Sequence, residues 1–367
     1  MSKYENAAAI LDQLVIEGKI PGACLVINEG DKTVLNYSTG YADEKKTKPV
    51  SENTIYQLAS MTKPIVTVAA LGLLEQGKLD LNASIADYIT EYAGTDKEPV
   101  KVVNLMNHSC GLGMLMHPGM IQGIMLSDVK NDKLADRVTR WKDLVPDFTP
   151  GTATGYSPSV GFEILGRIIE VISGMELDAY LCQTIFEPLK MADTAFILND
   201  EQKNRKSILH HDPEAPVVPI PGDYKMEDYT DASIGGYFSG AAGLYGTAAD
   251  YNRFVRMLAN GGELDGVRIL KEETVRLMST ASNELYMKPG VRWGLGVQVY
   301  ESPEITGACI PEGGYSWSGA YGTHFFVWPE NNLSFVLMLN CDNLGGSESY
   351  ISRMIEKAIY EADKEEL

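Results

Sequence analysis

Cysteine is scarce in this chain, and positive charge is in the minority. The five cysteines are odd in number and scattered, and no Cys-x-x-Cys pair occurs. This pattern excludes a disulfide framework and a zinc-finger type of site, and it is typical of reduced thiols in a cytoplasm. Lysine and arginine number 31 against 50 aspartates and glutamates, which gives a formal net charge of −19. Such an excess repels phosphate backbones and anionic lipids, so neither nucleic acid nor a membrane is expected as a partner.

Long hydrophobic runs are also missing. The longest apolar stretch, Pro64–Leu74, is far shorter than the ~20 residues that span a bilayer. No basic segment followed by an apolar one stands at the amino terminus, so no signal peptide is expected and the predicted location is cytoplasmic. The chain has 367 residues, of which 44% are hydrophobic and 22% charged, a globular composition. Because this length exceeds the roughly 250–300 residues at which a single core stops growing, two lobes are expected.

Strand patterns occur near both ends of the chain, and helical patterns lie between them. Two apolar runs around Gly30 and Asp31 predict a β-hairpin over residues 24–39. Further strands are predicted at Gly294–Tyr300, Thr323–Trp328 and Leu333–Asn340, and helices at Pro64–Gly77, Gly161–Val171, Ala248–Leu258 and Ser349–Leu367. The chain is therefore predicted to be an α/β protein with one sheet built from both termini. Residues 1–80 and 241–367 would form the α/β lobe, and residues 81–240 an inserted helical lobe.

The strongest chemical signal is a serine and a lysine three positions apart, Ser60 and Lys63. On a helix such a pair shares one face. Pro64 fits only near a helix start, where free N–H groups and the helix dipole favour an alkoxide and an oxyanion alike. Apolar surroundings would lower the pKa of the lysine and allow it to accept the serine proton. The alternative is a polar N-cap beside a surface lysine, and the same spacing recurs at Ser127 and Lys130 in a polar stretch.

Two further segments offer groups of the same chemistry. Tyr156 stands on a turn just before the helix predicted at Gly161–Val171. A phenol at such a place can point into a cleft and exchange protons with a lysine, since their ordinary pKa values match. The Gly-rich segment Tyr315–Gly322 precedes a predicted strand, and a free N–H there could complete an oxyanion hole. The alternatives are an ordinary turn tyrosine and an ordinary Gly-rich turn.

In their order and spacing, these three elements resemble the serine β-lactamase and penicillin-binding protein superfamily, whose motifs include Ser-x-x-Lys and Lys-Thr-Gly. The chain is most similar to the class C-like branch, which contains family VIII carboxylesterases and related acyltransferases. The likeness covers nearly the whole chain and includes the segments Leu74–Asp80, Asn107–Leu112, Ala241–Leu244, Leu258–Glu263 and Trp293–Gly296. The resemblance implies an antiparallel sheet flanked by helices, with an inserted and mainly helical lobe.

The resemblance also implies roles for individual residues. It makes Ser60 the nucleophile, with Lys63 and Tyr156 as the pair that activates it, and either of the two could be the formal base. The backbone N–H groups of Ser60 and Ala320 would form the oxyanion hole. The substrate would be bound by the triplet Trp317, Ser318 and Gly319.

Two departures from the β-lactamases of this branch bear on the substrate. Those enzymes have Tyr-x-Asn where this chain has Pro158, which offers neither an amide side chain nor an N–H. They also have Lys-Thr-Gly where this chain has Trp317-Ser318-Gly319, so the cation that meets a substrate carboxylate is missing while Ser318 keeps a hydroxyl. A Trp-x-Gly triplet is similar to that of family VIII esterases.

These features predict a hydrolase of small neutral carboxylic esters that works through an acyl-enzyme, with no cofactor and no metal. A small-molecule ester is the predicted partner, and the oligomeric state is left open. β-Lactamase or D-amino-acid peptidase activity, acyl transfer, and a catalytically inactive binding protein on the same fold are the alternatives. The methionines of Met114–Met125 and the proline-rich residues 213–221 either wall a pocket for an apolar group or only pack the lobe.

Overall fold

An eight-stranded antiparallel sheet is built from both ends of the chain in the computed structural model, which describes residues 3–128, 131–210, 230–306, 309, 311–342 and 349–364. The strands are β1 (Gly22–Glu29), β2 (Lys32–Gly40), β3 (Ile55–Gln57), β4 (Tyr245–Thr247), β5 (Glu263–Leu264), β6 (Val267–Arg268), β7 (Tyr286–Lys288), β8 (Val291–Trp293), β9 (Gln298–Tyr300), β10 (Tyr315–Ser318), β11 (Thr323–Trp328) and β12 (Leu333–Leu339). The order in the large sheet is β2-β1-β12-β11-β10-β9-β8-β7, while β3 pairs with β4 and β5 with β6.

The α-helices are α1 (Glu5–Ile16), α2 (Thr62–Glu75), α3 (Val102–Met106), α4 (Pro118–Met125), α5 (Leu134–Arg140), α6 (Val160–Ser173), α7 (Leu177–Leu181), α8 (Asp200–Arg205), α9 (Ala232–Gly235), α10 (Ala248–Ala259), α11 (Glu272–Met278), α12 (Pro303–Thr306) and α13 (Tyr350–Lys364). Short 3₁₀ turns lie at Ala59–Met61, Ile85–Asp87, Thr90–Tyr92, Trp141–Asp143 and Pro329–Asn331, and a π-helical turn at Cys182–Phe186. Among the described residues, no helix combines the length and the apolar character needed to cross a membrane.

Both faces of the sheet are covered. Side chains alternate along a strand, so in β1 Val26 packs into the larger core with α2 and α10, while Leu25 packs into a second core with α1 and α13. Residues 22–28 of β1 are accordingly all buried. This double cover explains why the central strands contain continuous apolar runs rather than a strict alternation with polar residues.

The structure confirms most of the predicted elements. The hairpin over residues 24–39 is β1 and β2, and the strands predicted at Thr323–Trp328 and Leu333–Asn340 are β11 and β12. The pairing of β1 with β12 confirms one sheet built from both termini. The four predicted helices correspond to α2, α6, α10 and α13 within a few residues, and residues 365–367 of the last prediction lie outside the described residues. The division into an α/β lobe and an inserted helical lobe stays a prediction.

The strand predicted over Gly294–Tyr300 is wrong in its first half. Residues 294–297 form the connection between β8 and β9, which pair antiparallel with each other. Gly294 N–H donates to the carbonyl oxygen of Val297 over 2.9 Å, and Gly296 has a φ of 71°. The glycines therefore mark a hairpin turn, and only Gln298–Tyr300 is strand. Alternating small and apolar residues gave the strand pattern, but the left-handed conformation that glycine permits decided the local structure.

Candidate active site

Ser60 lies on a tight turn between β3 and α2. The turn spans Ala59–Met61, and Ala59 has a φ of 47°, a left-handed conformation that is strained for a residue with a Cβ. Met61 N–H donates to Leu58 O over 3.1 Å, and Leu58 N–H donates to Leu244 O over 2.9 Å. These bonds hold the turn in its strained form, with the Ser60 side chain only partly buried.

Lys63 lies in the first turn of α2, and its side chain is completely buried. Its amine donates to the carbonyl oxygens of Pro158 over 2.8 Å and of Ala241 over 2.9 Å, and it lies 3.1 Å from Ser60 Oγ. Burial lowers the pKa of Lys63 to about 7, although the Glu163 carboxylate opposes this shift. An amine with this pKa is present in both protonation states near neutral pH.

Tyr156 precedes α6 and brings its phenol to the same hydroxyl. Its Oη lies 2.5 Å from Ser60 Oγ, and its ring packs against His108 and Trp317 at centroid distances of 4.9 and 5.3 Å. Desolvation raises the pKa of Tyr156, and the hydrogen bond with Ser60 offsets only part of this rise. The phenol is thus neutral at ordinary pH, while Lys63 is the group that gains and loses a proton.

The partners of Lys63 determine what its amine can do. Both carbonyl oxygens are acceptors only, so two positions of the amine must carry hydrogens directed at Pro158 and Ala241. The third position faces Ser60 Oγ. In the protonated amine this position is an N–H that donates to Ser60, and in the neutral amine it is a lone pair that can accept the serine proton. Loss of one proton therefore converts Lys63 from a hydrogen-bond donor into a base.

Trp317 and Ser318 are neighbours on β10, but they face opposite sides of the sheet. Trp317 is buried on the side of Tyr156. Ser318 Oγ instead lies 2.7 Å from His324 Nδ1, and His324 Nε2 lies 2.8 Å from a carboxylate oxygen of Glu356 on α13. The Ser318 hydroxyl is thus bonded to His324 on the face covered by α13, and its predicted contact with the substrate stays a prediction.

Gly319 and Ala320 bring the end of β10 against the turn of Ser60. A Cβ on Gly319 would collide with Leu58 O and with Thr323 Oγ1, so only glycine allows this approach. Ala320 follows at an exposed turn before β11. Within the described part of the chain, neither the Ser60 N–H nor the Ala320 N–H donates a hydrogen bond. Two free amides on adjacent segments are what an oxyanion would need.

Sequence reasoning missed two buried groups beside Lys63. His108 packs 4.3 Å from the Trp293 ring, and its Nδ1 accepts the Ser157 N–H over 3.2 Å. Burial, assisted by the charge of Lys63, lowers the pKa of His108 well below its ordinary value, so the imidazole is neutral. Glu163 lies in the apolar face of α6, where an acid is rare, and this exception to the pattern was a usable signal.

The remaining residues that the sequence analysis singled out are buried, exposed or outside the described part of the chain. Met114 is fully buried, as lobe packing predicts, whereas Met116 is 91% exposed. Lys130, the partner in the second serine–lysine spacing, lies outside the described residues, and so do the proline-rich residues 213–221. The question of a pocket wall therefore stays open for the proline-rich stretch.

The chain is similar in sequence and in fold to known esterases. Esterase EstB of Burkholderia gladioli is 29% identical over 361 residues, which cover 90% of this chain and 89% of the esterase. The solved structure of EstCE1, described as a hydrolase with promiscuous acyltransferase activity, superposes with a TM-score of 0.85 at 24% identity and covers 98% of both chains. A family VIII carboxylesterase superposes with a TM-score of 0.76 at 22% identity, covering 98% of this chain and 96% of its own.

These structural likenesses show a shared fold, and the predicted α/β fold of the β-lactamase and transpeptidase type is confirmed. The family model described as Beta-lactamase matches residues 7–358, almost the entire chain. The chain therefore belongs to the beta-lactamase family.

Proposed function

We propose that this chain is a serine hydrolase that cleaves small neutral carboxylic esters through an acyl-enzyme on Ser60. The observation that carries the proposal is the contact of one serine hydroxyl with two titratable groups. Ser60 Oγ lies 2.5 Å from Tyr156 Oη and 3.1 Å from Lys63 Nζ. A nucleophile within hydrogen-bond reach of a base, and beside free amide donors, is the arrangement that serine acyl transfer requires.

Acylation begins with attack of Ser60 Oγ on the ester carbonyl carbon, while the serine proton passes to the neutral amine of Lys63. The N–H groups of Ser60 and Ala320 stabilise the oxyanion that forms. When this intermediate collapses, the bond to the leaving alcohol breaks, and the departing oxygen takes the proton of Tyr156. Tyr156 recovers a proton from Lys63. Water then attacks the acyl carbonyl, the same groups move its proton back to Ser60, and the carboxylic acid is released.

The two titratable groups have different environments, and this difference supports their separate tasks. The pKa of Lys63 is lowered to about 7 by burial, so a neutral amine is available near physiological pH. The pKa of Tyr156 is raised by desolvation, which keeps the phenol protonated and ready to donate. Groups whose pKa values are pushed apart are candidates for base and acid. We therefore assign the base to Lys63 and the acid to Tyr156.

The replacement of the family cation by Trp317 supports an ester rather than an anionic β-lactam as substrate. Trp317 is buried against Tyr156 and Trp293, 5.0 Å from the latter ring, and it brings no charge to the site. A substrate carboxylate would find no ion-pair partner there. The names of the relatives EstB and of the family VIII carboxylesterase agree with an ester substrate.

The substrate class is tested by comparing p-nitrophenyl butyrate with nitrocefin on one preparation, with Ser60→Ala as the background. The proposal predicts that kcat/KM for the ester is far above that for nitrocefin. Comparable values would favour a β-lactamase. In a third arm an alcohol acceptor is added, and a transfer ester formed in preference to the free acid would favour an acyltransferase.

A further inference from the structure

Glu163 is a fully buried acid on α6 that the catalytic steps above do not use. Its carboxylate accepts the hydroxyl hydrogen of Ser239 over 2.6 Å and the N–H of Gly240 over 2.8 Å. The next residue, Ala241, supplies one of the two carbonyl oxygens that bind the amine of Lys63. One turn of backbone, residues 239–241, therefore connects Glu163 to Lys63.

The turn of residues 239–241 depends on these bonds for its shape. Ser239 Oγ also accepts the N–H of Ala242 over 3.1 Å, so the serine joins the carboxylate to both sides of the turn. Gly240 packs so closely on α6 that a Cβ there would lie 2.7 Å from the carbonyl oxygen of Phe162. Without Glu163, two buried donors would lose their acceptor, and the carbonyl of Ala241 would lose its fixed place.

Three groups act on the Glu163 carboxylate from other parts of the chain. The charges of Lys63 on α2 and Arg137 on α5 interact with it electrostatically, and the phenol of Tyr237, in the segment before residue 239, donates a hydrogen bond to it. The guanidinium of Arg137 lies over the Tyr237 ring at 3.6 Å and is itself buried with Asp132. A buried carboxylate is costly unless its charge is compensated. Burial raises the pKa of Glu163, and the hydrogen bonds from Ser239 and Gly240 together with the charge of Arg137 oppose this rise. The Lys63 amine feels the same carboxylate, which raises the pKa of Lys63 against the larger opposing effect of burial.

We propose that Glu163 is the positioning residue for Lys63: it fixes the Ala241 carbonyl that orients the amine, and its negative charge stabilises the ammonium form that arises when Ser60 is acylated. The inference rests on the proposed function in so far as Lys63 is the base. It assigns two separable effects to Glu163, one of geometry and one of charge.

The charge effect has a definite sign. Burial lowers the pKa of Lys63, and the Glu163 carboxylate opposes that shift. Removal of the charge would lower the pKa of Lys63 further, so the neutral amine would persist to more acidic pH. The rise of kcat/KM with pH would then begin at a lower pH. The plateau would fall as well, because a weaker base is a poorer proton acceptor.

Two substitutions separate charge from geometry. Glu163→Gln removes the charge but keeps the bonds, because its amide oxygen can accept from Gly240 while its NH₂ donates to a rotated Ser239 hydroxyl. Glu163→Asp keeps the charge but withdraws the carboxylate by one methylene. The matched control is Glu170→Gln on the same helix, where the carboxylate binds Arg167 and the N–H of Leu177 instead of the 239–241 turn.

The test measures kcat/KM for p-nitrophenyl butyrate against pH and, independently of activity, the protonation of Lys63 by NMR of ¹³Cε-labelled lysine, with Lys63→Met to assign the signal. In Glu163→Gln we expect the midpoint of the Lys63 titration and the acid limb of the kcat/KM profile to shift together to lower pH, by roughly half to one pH unit. In Glu163→Asp the acid limb should stay at the wild-type pH, while the plateau value of kcat/KM should fall about tenfold or more. Glu170→Gln should match the wild type.

An unmoved Lys63 titration in Glu163→Gln overturns the charge effect, and a wild-type plateau in Glu163→Asp overturns the geometric one. If Glu163→Gln does not fold, Glu163→Asp still decides the geometric effect. The two proposals can fail separately. If the wild type has no esterase activity but the Lys63 titration still shifts between the wild type and Glu163→Gln, the proposed function is contradicted and the assignment of Glu163 is supported.

Discussion

The hydroxyl of Thr323, the first residue of β11, donates a hydrogen bond to the carbonyl oxygen of Leu58 over 3.0 Å. Leu58 lies two residues before Ser60, and Thr323 follows the turn that contains Ala320. This bond and the close approach of Gly319 join the end of β10 to the turn of Ser60. The two amides proposed for the oxyanion therefore sit on segments that are packed directly on each other.

Gly319→Ala should separate these two segments. Its new methyl group would collide with Leu58 O and Thr323 Oγ1, so the turn of Ser60 must shift. We expect kcat/KM for p-nitrophenyl butyrate to fall about 100-fold or more, as a displacement near 1 Å produces. Gly72→Ala is the control, because nothing lies within 4 Å of its Cβ and the site is a helix interior. Equal activities of the two variants would contradict the packing argument.

The activity of the wild type should rise with pH through about 7. Below this pH the buried Lys63 is protonated and donates to Ser60, and above it the neutral amine can accept the serine proton. The measurement is kcat/KM against pH between 5 and 9 with an ester whose own ionisation does not change. A profile that stays flat across this range, without a rise near pH 7, would mean that Lys63 is not the base.

Lys63→Met should keep the fold and lose the base. The methionine fills the buried site without a charge, and the carbonyl oxygens of Pro158 and Ala241 lose a donor. We expect kcat to fall by roughly 10²–10⁴-fold with a smaller effect on KM. Circular dichroism establishes that the variant is folded. Activity within a few-fold of the wild type would exclude Lys63 from proton transfer.

Tyr156→Phe should reduce the rate without loosening the site. The ring keeps its packing against His108 and Trp317, and only the oxygen that lies 2.5 Å from Ser60 is removed. Loss of the acid should slow esters with poor leaving groups, such as ethyl butyrate, more than p-nitrophenyl butyrate, whose phenol leaves without a proton. The measurement is the ratio of the rate with ethyl butyrate to the rate with p-nitrophenyl butyrate, which is compared between the wild type and the variant. An unchanged ratio would argue against Tyr156 as the acid.

His324→Leu should destabilise the protein through a buried charge. His324 lies between Ser318 and Glu356, and its loss would leave the Glu356 carboxylate without a partner in the core under α13. We expect the free energy of unfolding in urea to fall by about 3–5 kcal/mol. Replacing Glu356 by leucine as well should restore part of this loss, since no buried charge then remains. A double variant less stable than His324→Leu would contradict the argument.

The sequence predicted most of the fold because turn residues and the spacing of apolar residues act over short stretches of chain. The Gly-Asp turn between β1 and β2, the apolar runs of β11 and β12 and the helical spacing of α6 each specify their own element. Pro64 likewise indicated where α2 begins, and hence the place of Ser60. The strand at Gly294 failed for a physical reason: glycine fits both an extended strand and a hairpin turn, and only the pairing of β8 with β9 decides between them.

The parts of the site that the sequence did not predict depend on contacts between distant residues. The orientation of Ser318 follows from its register opposite His324 and from α13, which packs over that face. The link from Glu163 to Lys63 runs through residues 239–241, far from both in the chain. The presence of an acid in an apolar helix face can be seen in the sequence, but its partners cannot.

The central claim, that Ser60 is the nucleophile, is tested most directly by intact mass spectrometry after brief exposure to a fluorophosphonate probe, with wild type beside Ser60→Ala. The account predicts one probe adduct on the wild type, located on the peptide that contains Ser60, and none on the variant. It also predicts faster labelling above pH 7 than below, since Lys63 must be neutral. An unlabelled wild type, or an equal adduct on Ser60→Ala, would contradict the account.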